Sequence, residues 1–255
     1  MSGGLRPAAR VLASLGVTEP REIDVEAIAW HLGAKVKYRE LDTCEARILG
    51  HGNRAIICVD SRKRPERRKF SVAHELGHWI FHRGQCLACR SDEIGNRASR
   101  ATDPERVADG FAGDLLLPAY LLRPMSQQVQ RWSLARIREI ASEFGTSVTA
   151  TAYRLIELDM LPGLLVCHNK RGRRWFKAAP SVPSRWFPKH DLDHDSQAFD
   201  MLFGSAPELA APSLVDADAW FDQSDASQYQ LQEQTYKVPN GEVITLVLPG
   251  RKMLD

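Results

Sequence analysis

The chain has 255 residues, 34 basic against 32 acidic side chains, and a 44% hydrophobic composition. That length suits one large domain or two small ones, and the near balance of charge gives no global electrostatic case for nucleic acid or a membrane surface as partner. No window approaches the roughly 18 consecutive apolar residues of a membrane span, the opening MSGGLRPAARVLASLG lacks a signal peptide's apolar core, and the odd set of five cysteines reads as cytosolic thiols.

Residues 5–16 and 24–33 have helical apolar spacing, with Asp24 as N-cap and Gly33 as stop for the second. The period then changes. Segments 35–40, 44–49 and 54–60 read as short strands, the last two joined by a hairpin at Gly50-His51-Gly52-Asn53. The basic run Arg62-Lys63-Arg64 leads to Pro65, which opens a helix reaching about His82. Such a run can steer an acidic partner, but more often it is a solvated turn. Residues 83–101 read as a loop. Thr102-Asp103-Pro104-Glu105 then starts another helix, whose stripe of Val107, Ala108, Phe111, Ala112, Leu115 and Leu116 runs to Pro118. Segments 119–129, 134–144 and 147–160 continue as helices. Beyond Leu161-Pro162-Gly163 the texture becomes strand-like at 164–168, 174–178, 228–238 and 242–248, separated by a stretch rich in Pro, Asp and Ser. These signals predict an α+β fold. A helical domain with a small three-stranded antiparallel sheet occupies residues 1–162, and a smaller β-rich domain occupies residues 163–255. Residues 165–255 carry 10 basic and 12 acidic side chains, leaving 24 and 20 for the rest.

One segment carries chemistry. His74-Glu75-Leu76-Gly77-His78 is an HExxH sequence on the helix from Pro65. Residues four apart share a helix face, so both imidazoles can aim at one divalent ion. Glu75 lies about 100° further round, placed to take a proton from an attacking water. The bland alternative is a helix with two histidines by chance, since the motif alone has false positives. Gly77 argues against chance: glycine costs about 1 kcal/mol against alanine inside a helix, so a close approach of backbone or metal site must favour it. A catalytic zinc needs a third protein ligand. The HExxHxxGxxH extension is absent, because Ile80 and Gly84 stand at its glycine and last histidine positions. His82 lies two turns along from His74 and reads as a cleft residue or a helix C-terminal cation. The first turn after Pro104 offers Glu105, with Asp109 one turn later on the same face. A carboxylate there can bind the ion while its neighbour accepts an imidazole N–H. On these residues alone the plainer reading prevails: Glu105 as an acid set against the helix dipole, Asp109 as a solvated charge.

The two segments, with Ile23-Asp24-Val25-Glu26-Ala27-Ile28-Ala29 before them and Phe111, Ala112, Leu115, Leu116, Leu117 and Pro118 after, resemble the ImmA/IrrE metallopeptidase family. The resemblance implies a thermolysin-like arrangement over residues 20–160. It implies zinc on His74, His78 and Glu105, Glu75 as catalytic base, and Asp109 orienting a zinc ligand. It further implies a protein substrate, an Xre-type helix-turn-helix repressor encoded nearby, whose cleavage relieves repression of stress-response or mobile-element genes. The region after 165 resembles the family only loosely. Two other readings stand beside it: a non-proteolytic interaction module that keeps zinc for structure, and a DNA-binding regulator using the helix–turn–helix rhythm of residues 134–160. The start of that second helix, Val148-Thr149-Ala150-Thr151-Ala152, is nearly uncharged, which disfavours direct nucleic-acid binding. The expected location is cytoplasmic, with no membrane partner. Cys86-Leu87-Ala88-Cys89 suggests a redox switch or half of a second zinc site, without a second pair to complete it. His190-Asp191-Leu192-Asp193-His194-Asp195 reads as a solvated loop. Tyr120, Tyr153 and His82 are the candidates for stabilising an oxyanion. Strand 54–60, if it lies at the sheet edge, offers main-chain pairing to a substrate strand.

Overall fold

Two compact units make up the chain in the computed structural model, which describes residues 6–82 and 103–255. The first comprises residues 1–122 and 140–147, the second residues 123–139 and 148–255.

In the first unit, α1 (Pro7–Ser14) and α2 (Val25–His31) precede the sheet. Asp24 caps α2 by accepting from the amides of Glu26 and Ala27 at 2.9 and 3.1 Å, which satisfies two of the donors a helix start leaves open. Gly33 follows at φ +82°, where a Cβ would press into the Asn53 carbonyl. The chain then enters β1 (Ala34–Arg39), β2 (Ala46–His51) and β3 (Arg54–Asp60). The order is β1-β3-β2. β2 and β3 form the expected antiparallel hairpin, but β1 pairs parallel with β3. The sheet is therefore mixed, not wholly antiparallel. The physical reason is that β1 pairs with β3 and not with its sequence neighbour β2, so it runs beside a strand reached after two reversals, which restore its direction. β3 is consequently central, and the expectation that residues 54–60 form an edge fails. The edges are β1 and β2.

Alternation along the strands buries Ala34, Ala46, Ala55, Ile57 and Val59 on one face. There α3 (Pro65–Phe81) packs against β2 and β3 and contributes buried Val72, Ala73 and Leu76. Burying each large aliphatic side chain stabilises the fold by about 1.5–3 kcal/mol. Trp79 anchors the helix to the sheet: its indole N–H donates to the Leu32 carbonyl at 2.8 Å, and its ring lies over Gly50, where any Cβ would overlap it. α4 (Pro104–Leu116) packs along α3 and is capped by Asp103, which accepts from the Glu105 amide at 3.0 Å. α5 (Ala119–Gln127) and α6 (Leu134–Phe144) follow, each divided between the two units.

The second unit holds α7 (Val148–Glu157) and a five-stranded antiparallel sheet. Its strands are β4 (Leu164–Asn169), β5 (Gly172–Ala178), β6 (Ser213–Asp216), β7 (Gln230–Val238) and β8 (Glu242–Pro249), in the order β5-β4-β8-β7-β6. α8 (Gln197–Phe203) and β6 lie in the stretch that reads from sequence as unstructured. β6 has only four residues, and α8, with seven, is flanked by loop-forming residues. Ser196 caps α8. The core collects Trp186, Trp220 and Phe221 with the inward residues of β4 and β8. Its buried polar groups are mostly paired. Glu233 accepts from the Trp220 indole and the Gln197 amide, each at 2.9 Å, and the Thr235 and Thr245 hydroxyls meet at 2.8 Å. Burial raises the Glu233 carboxyl above its usual range. His168 differs. It is 1% exposed, packs edge-on against Trp220, and makes no well-formed hydrogen bond through either ring nitrogen.

Burial pushes the His168 imidazole down to about 4, below the roughly 6.5 of an unfolded histidine. A depressed value means stability present above about pH 6.5 and lost as pH falls through about 4, by an order of 2–3 kcal/mol. Calorimetry on the full chain between pH 7.5 and 4 should therefore show a smaller drop in Tm for His168→Leu than for the native protein. Equal drops would exclude this residue as a source of acid lability.

Candidate metal centre

HExxH lies in the last two turns of α3. His74, Glu75 and His78 are 0%, 0% and 3% exposed, and Gly77 lies between them. Gly77 brings α4 close. A Cβ there would sit 2.7 Å from the Ala108 Cα and 3.0 Å from its carbonyl oxygen, closer than real Cβ atoms come. The missing side chain thus lets the two helix backbones touch, which explains a glycine at a helical position. Phe81 and Phe111 extend the contact edge-to-face, with ring centroids 6.0 Å apart.

That approach carries Glu105 to the imidazole pair. His74 Nε2 lies 3.1 Å from one Glu105 oxygen, His78 Nε2 lies 3.2 Å from the other, and the two Nε2 atoms are 3.1 Å apart. Ligands at about 2.0–2.1 Å around a tetrahedral ion stand about 3.3 Å from one another, so this spacing fits one small divalent cation. One ligand atom from each of the three residues lies within 4.8 Å of the others. The donor set of two imidazoles and a carboxylate suits such an ion. Asp109, one turn along α4, lies 2.9 Å from His74 Nδ1. A carboxylate at that nitrogen holds the proton there and leaves Nε2 as the lone-pair donor. His78 Nδ1 has His82 Nδ1 at 3.3 Å.

The electrostatics are those of a site made for positive charge. Burial opposes a charged His74, but the hydrogen bonds it donates to Asp109 and Glu105 outweigh it and raise the imidazole to about 9. Burial also works against the Glu105 carboxylate, yet the two imidazoles hold it well below the usual range. Glu75 goes the other way: burial raises it to about 7, against the pull of His74 and His78. Both of its oxygens are buried without a hydrogen-bond partner among the described residues. A buried carboxylate left so is costly, and a site that supplies a cation and a water beside it resolves the cost.

Five residues singled out from sequence thus meet in one place: His74, Glu75, His78, Glu105 and Asp109. His82 touches the site through His78, and burial lowers its imidazole. Tyr120 does not reach it, since its hydroxyl donates to the Val17 carbonyl at 2.8 Å. Tyr153 belongs to the second unit, beneath the ammonium of Lys177. Cys86 and Cys89 lie outside the described residues. Asp193, His194 and Asp195 come within ligand distance of one another, but His194 is fully solvated, so the solvated-loop reading stands.

Two substitutions test this construction. Gly77→Ala should destabilise the chain despite better helix propensity: overpacking costs about 1–3 kcal/mol against a gain of about 1. A lower Tm together with weaker metal binding in a competition titration is the expected result, and unchanged values would refute the close-approach account. Asp109→Ala should keep the fold by circular dichroism and weaken metal binding about 10–100-fold. Unaltered affinity would mean that Asp109 does not position His74.

Three comparisons with known proteins bear on this site. A family model described as the IrrE N-terminal-like domain, of a peptidase family, matches residues 25–156, just over half of the chain. No curated protein matches it. A solved structure described as a Mycobacterium tuberculosis transcriptional regulator is similar at a TM-score of 0.60 and 19% sequence identity, over 95% of this chain and 86% of that one. At that identity the likeness shows a common fold.

Proposed function

The chain belongs to the IrrE N-terminal-like domain family of peptidases, and on that premise we propose that it is a zinc-dependent endopeptidase acting on a helix-turn-helix repressor of the Xre type. The observation that carries the reading is the convergence of His74, His78 and Glu105 within 4.8 Å beside a buried Glu75 whose oxygens have no other partner.

When bound, zinc supplies a Lewis acid that polarises the scissile carbonyl and acidifies the attacking water. The chain's own groups do the rest. Asp109 keeps His74 in the tautomer whose Nε2 donates electrons to the ion. Glu105 contributes a negative charge held in its ionised form by both imidazoles. Glu75 accepts the proton of the attacking water and delivers it to the leaving amine. Its raised carboxyl, near 7, suits a group that must take and return a proton. The low exposure of all three α3 residues excludes bulk water and strengthens each interaction.

The regulator reading of residues 134–160 draws no support from α7. Arg154 is 6% exposed and paired with Glu157 at 2.6 Å. Thr149 meets the Tyr236 hydroxyl at 2.7 Å. Those side chains are committed within the second unit and are not displayed to a groove. Among the described residues no helix is long and apolar enough to cross a membrane.

Glu75→Gln separates binding from chemistry. The variant should retain about one zinc per chain and lose at least 10³-fold in cleavage of the repressor encoded beside it, read by intact mass. Cleavage at the native rate would remove Glu75 from the mechanism, and zinc-loaded native protein that cleaves no such repressor would favour the interaction module.

A further inference from the structure

The face of the first unit's sheet that points away from α3 has no element packed on it among the described residues. Its register can be read across the strands: Lys35 pairs with Ile56 and Ile56 with Leu49, while Lys37 pairs with Cys58 and Cys58 with Arg47. Arg39 and Arg54 extend the same face at its two ends. Lys35, Lys37, Arg39, Arg47 and Arg54 are all exposed, and none forms an ion pair among the described residues. Arg39 lies over the buried Cys58, donating to its sulfur at 2.9 Å. Two acids beside this face are engaged by other cations. Asp60 is 3% exposed and held by Arg62 at 3.0 Å, and Glu45 is held by Lys63 and Arg67 at 3.0 and 2.5 Å. The conspicuous run Arg62-Lys63-Arg64 is thus partly neutralised, whereas the alternating cations of β1, β2 and β3 are not.

The shape narrows the partner. A strand advances about 3.3 Å per residue, so Lys35 to Arg39 spans about 13 Å, and the cations of β1 and β2 flank β3 about 10 Å apart. Between them lie two aliphatic side chains, Leu49 at 64% and Ile56 at 38% exposed. The strands place no Phe, Tyr or Trp on this face, and its one ring is His51 at the hairpin end, opposite Arg54, unlike the aromatic sheet platforms that bind single strands. A duplex carries one charge per about 1.7 Å of axis with both strands counted, so 13 Å of it holds about eight phosphates, of which about half can face the patch.

We propose that this sheet face docks on the phosphate backbone of double-stranded DNA without reading its sequence. The contact is independent of the helix pair at 134–157 and of the peptidase reading, and neither zinc nor cleavage enters its test.

Fluorescence anisotropy of the full chain with a labelled 20-base-pair duplex of arbitrary sequence measures it directly. Micromolar binding at 50 mM salt is expected, with a slope of log affinity against log salt of about −4, as four to five phosphate contacts require. Lys37→Glu with Arg47→Glu should weaken binding more than tenfold and flatten the slope by about 2. Lys35→Gln with Lys37→Gln, the gentler pair, should give a smaller loss in the same direction. Arg251→Glu with Lys252→Glu, in the second unit, should change nothing. Thermal melts monitor folding of every variant. The proposal is overturned by a lack of saturable binding at 50 mM salt, by reversal variants that bind as the native chain does, or by tighter binding to single-stranded DNA, polyglutamate or anionic vesicles than to the duplex.

Discussion

The backbone contact between α3 and α4 at Gly77 and Ala108 is the constraint on which the centre depends. An HExxH helix by itself offers two ligands and a base. The third ligand candidate, Glu105, lies 27 residues after His78 in the first turn of α4, and it arrives only because the two backbones approach more closely than any side chain at 77 would allow. The Phe81–Phe111 contact and the Asp103 cap then fix how far along and how far round α4 sits. The metal site is in this sense a consequence of helix packing: without the glycine, three correctly chosen residues remain and no site does.

Electrostatics complement that packing. Burying two imidazoles and three carboxyl groups in one small volume is unfavourable unless charge is balanced. Asp109 and Glu105 raise His74, the imidazoles lower Glu105, and burial, with the Glu105 charge, raises Glu75. Glu105 and Glu75, two carboxyls in nearly one place, thus tend in opposite directions, as the proposed division into ligand and base requires. A divalent cation would resolve the remaining imbalance.

Much of this was legible in the residues. The i, i+4 histidines, the misplaced glycine and the Asp103-Pro104-Glu105 helix start each have a local physical signature, and the α+β class followed from the switches of period. Three features had no such signature. Periodicity tells which face a strand buries but not which neighbour it pairs with, so the parallel partnership of β1 with β3, and the central place of residues 54–60, could not be read. β6 is shorter than one full pattern, and α8, though as long as α2, sits among loop-forming residues. The cations of the outer sheet face are spaced by two along three separate strands, so a net charge of +2 conceals them, while the contiguous run that draws the eye is partly paired off. Contact also divides the chain differently from texture: the change near residue 162 marks where helices give way to strands, whereas residues 123–139 and 148–162 pack with the second unit.

The most direct measurement on the central claim is zinc K-edge X-ray absorption of the full chain carrying one equivalent of zinc. The account predicts a shell of nitrogen and oxygen only, at about 2.0–2.1 Å, with the scattering signature of two imidazoles and one fewer light ligand in Glu105→Ala. A sulfur shell near 2.3 Å, or a spectrum indifferent to loss of Glu105, would contradict it.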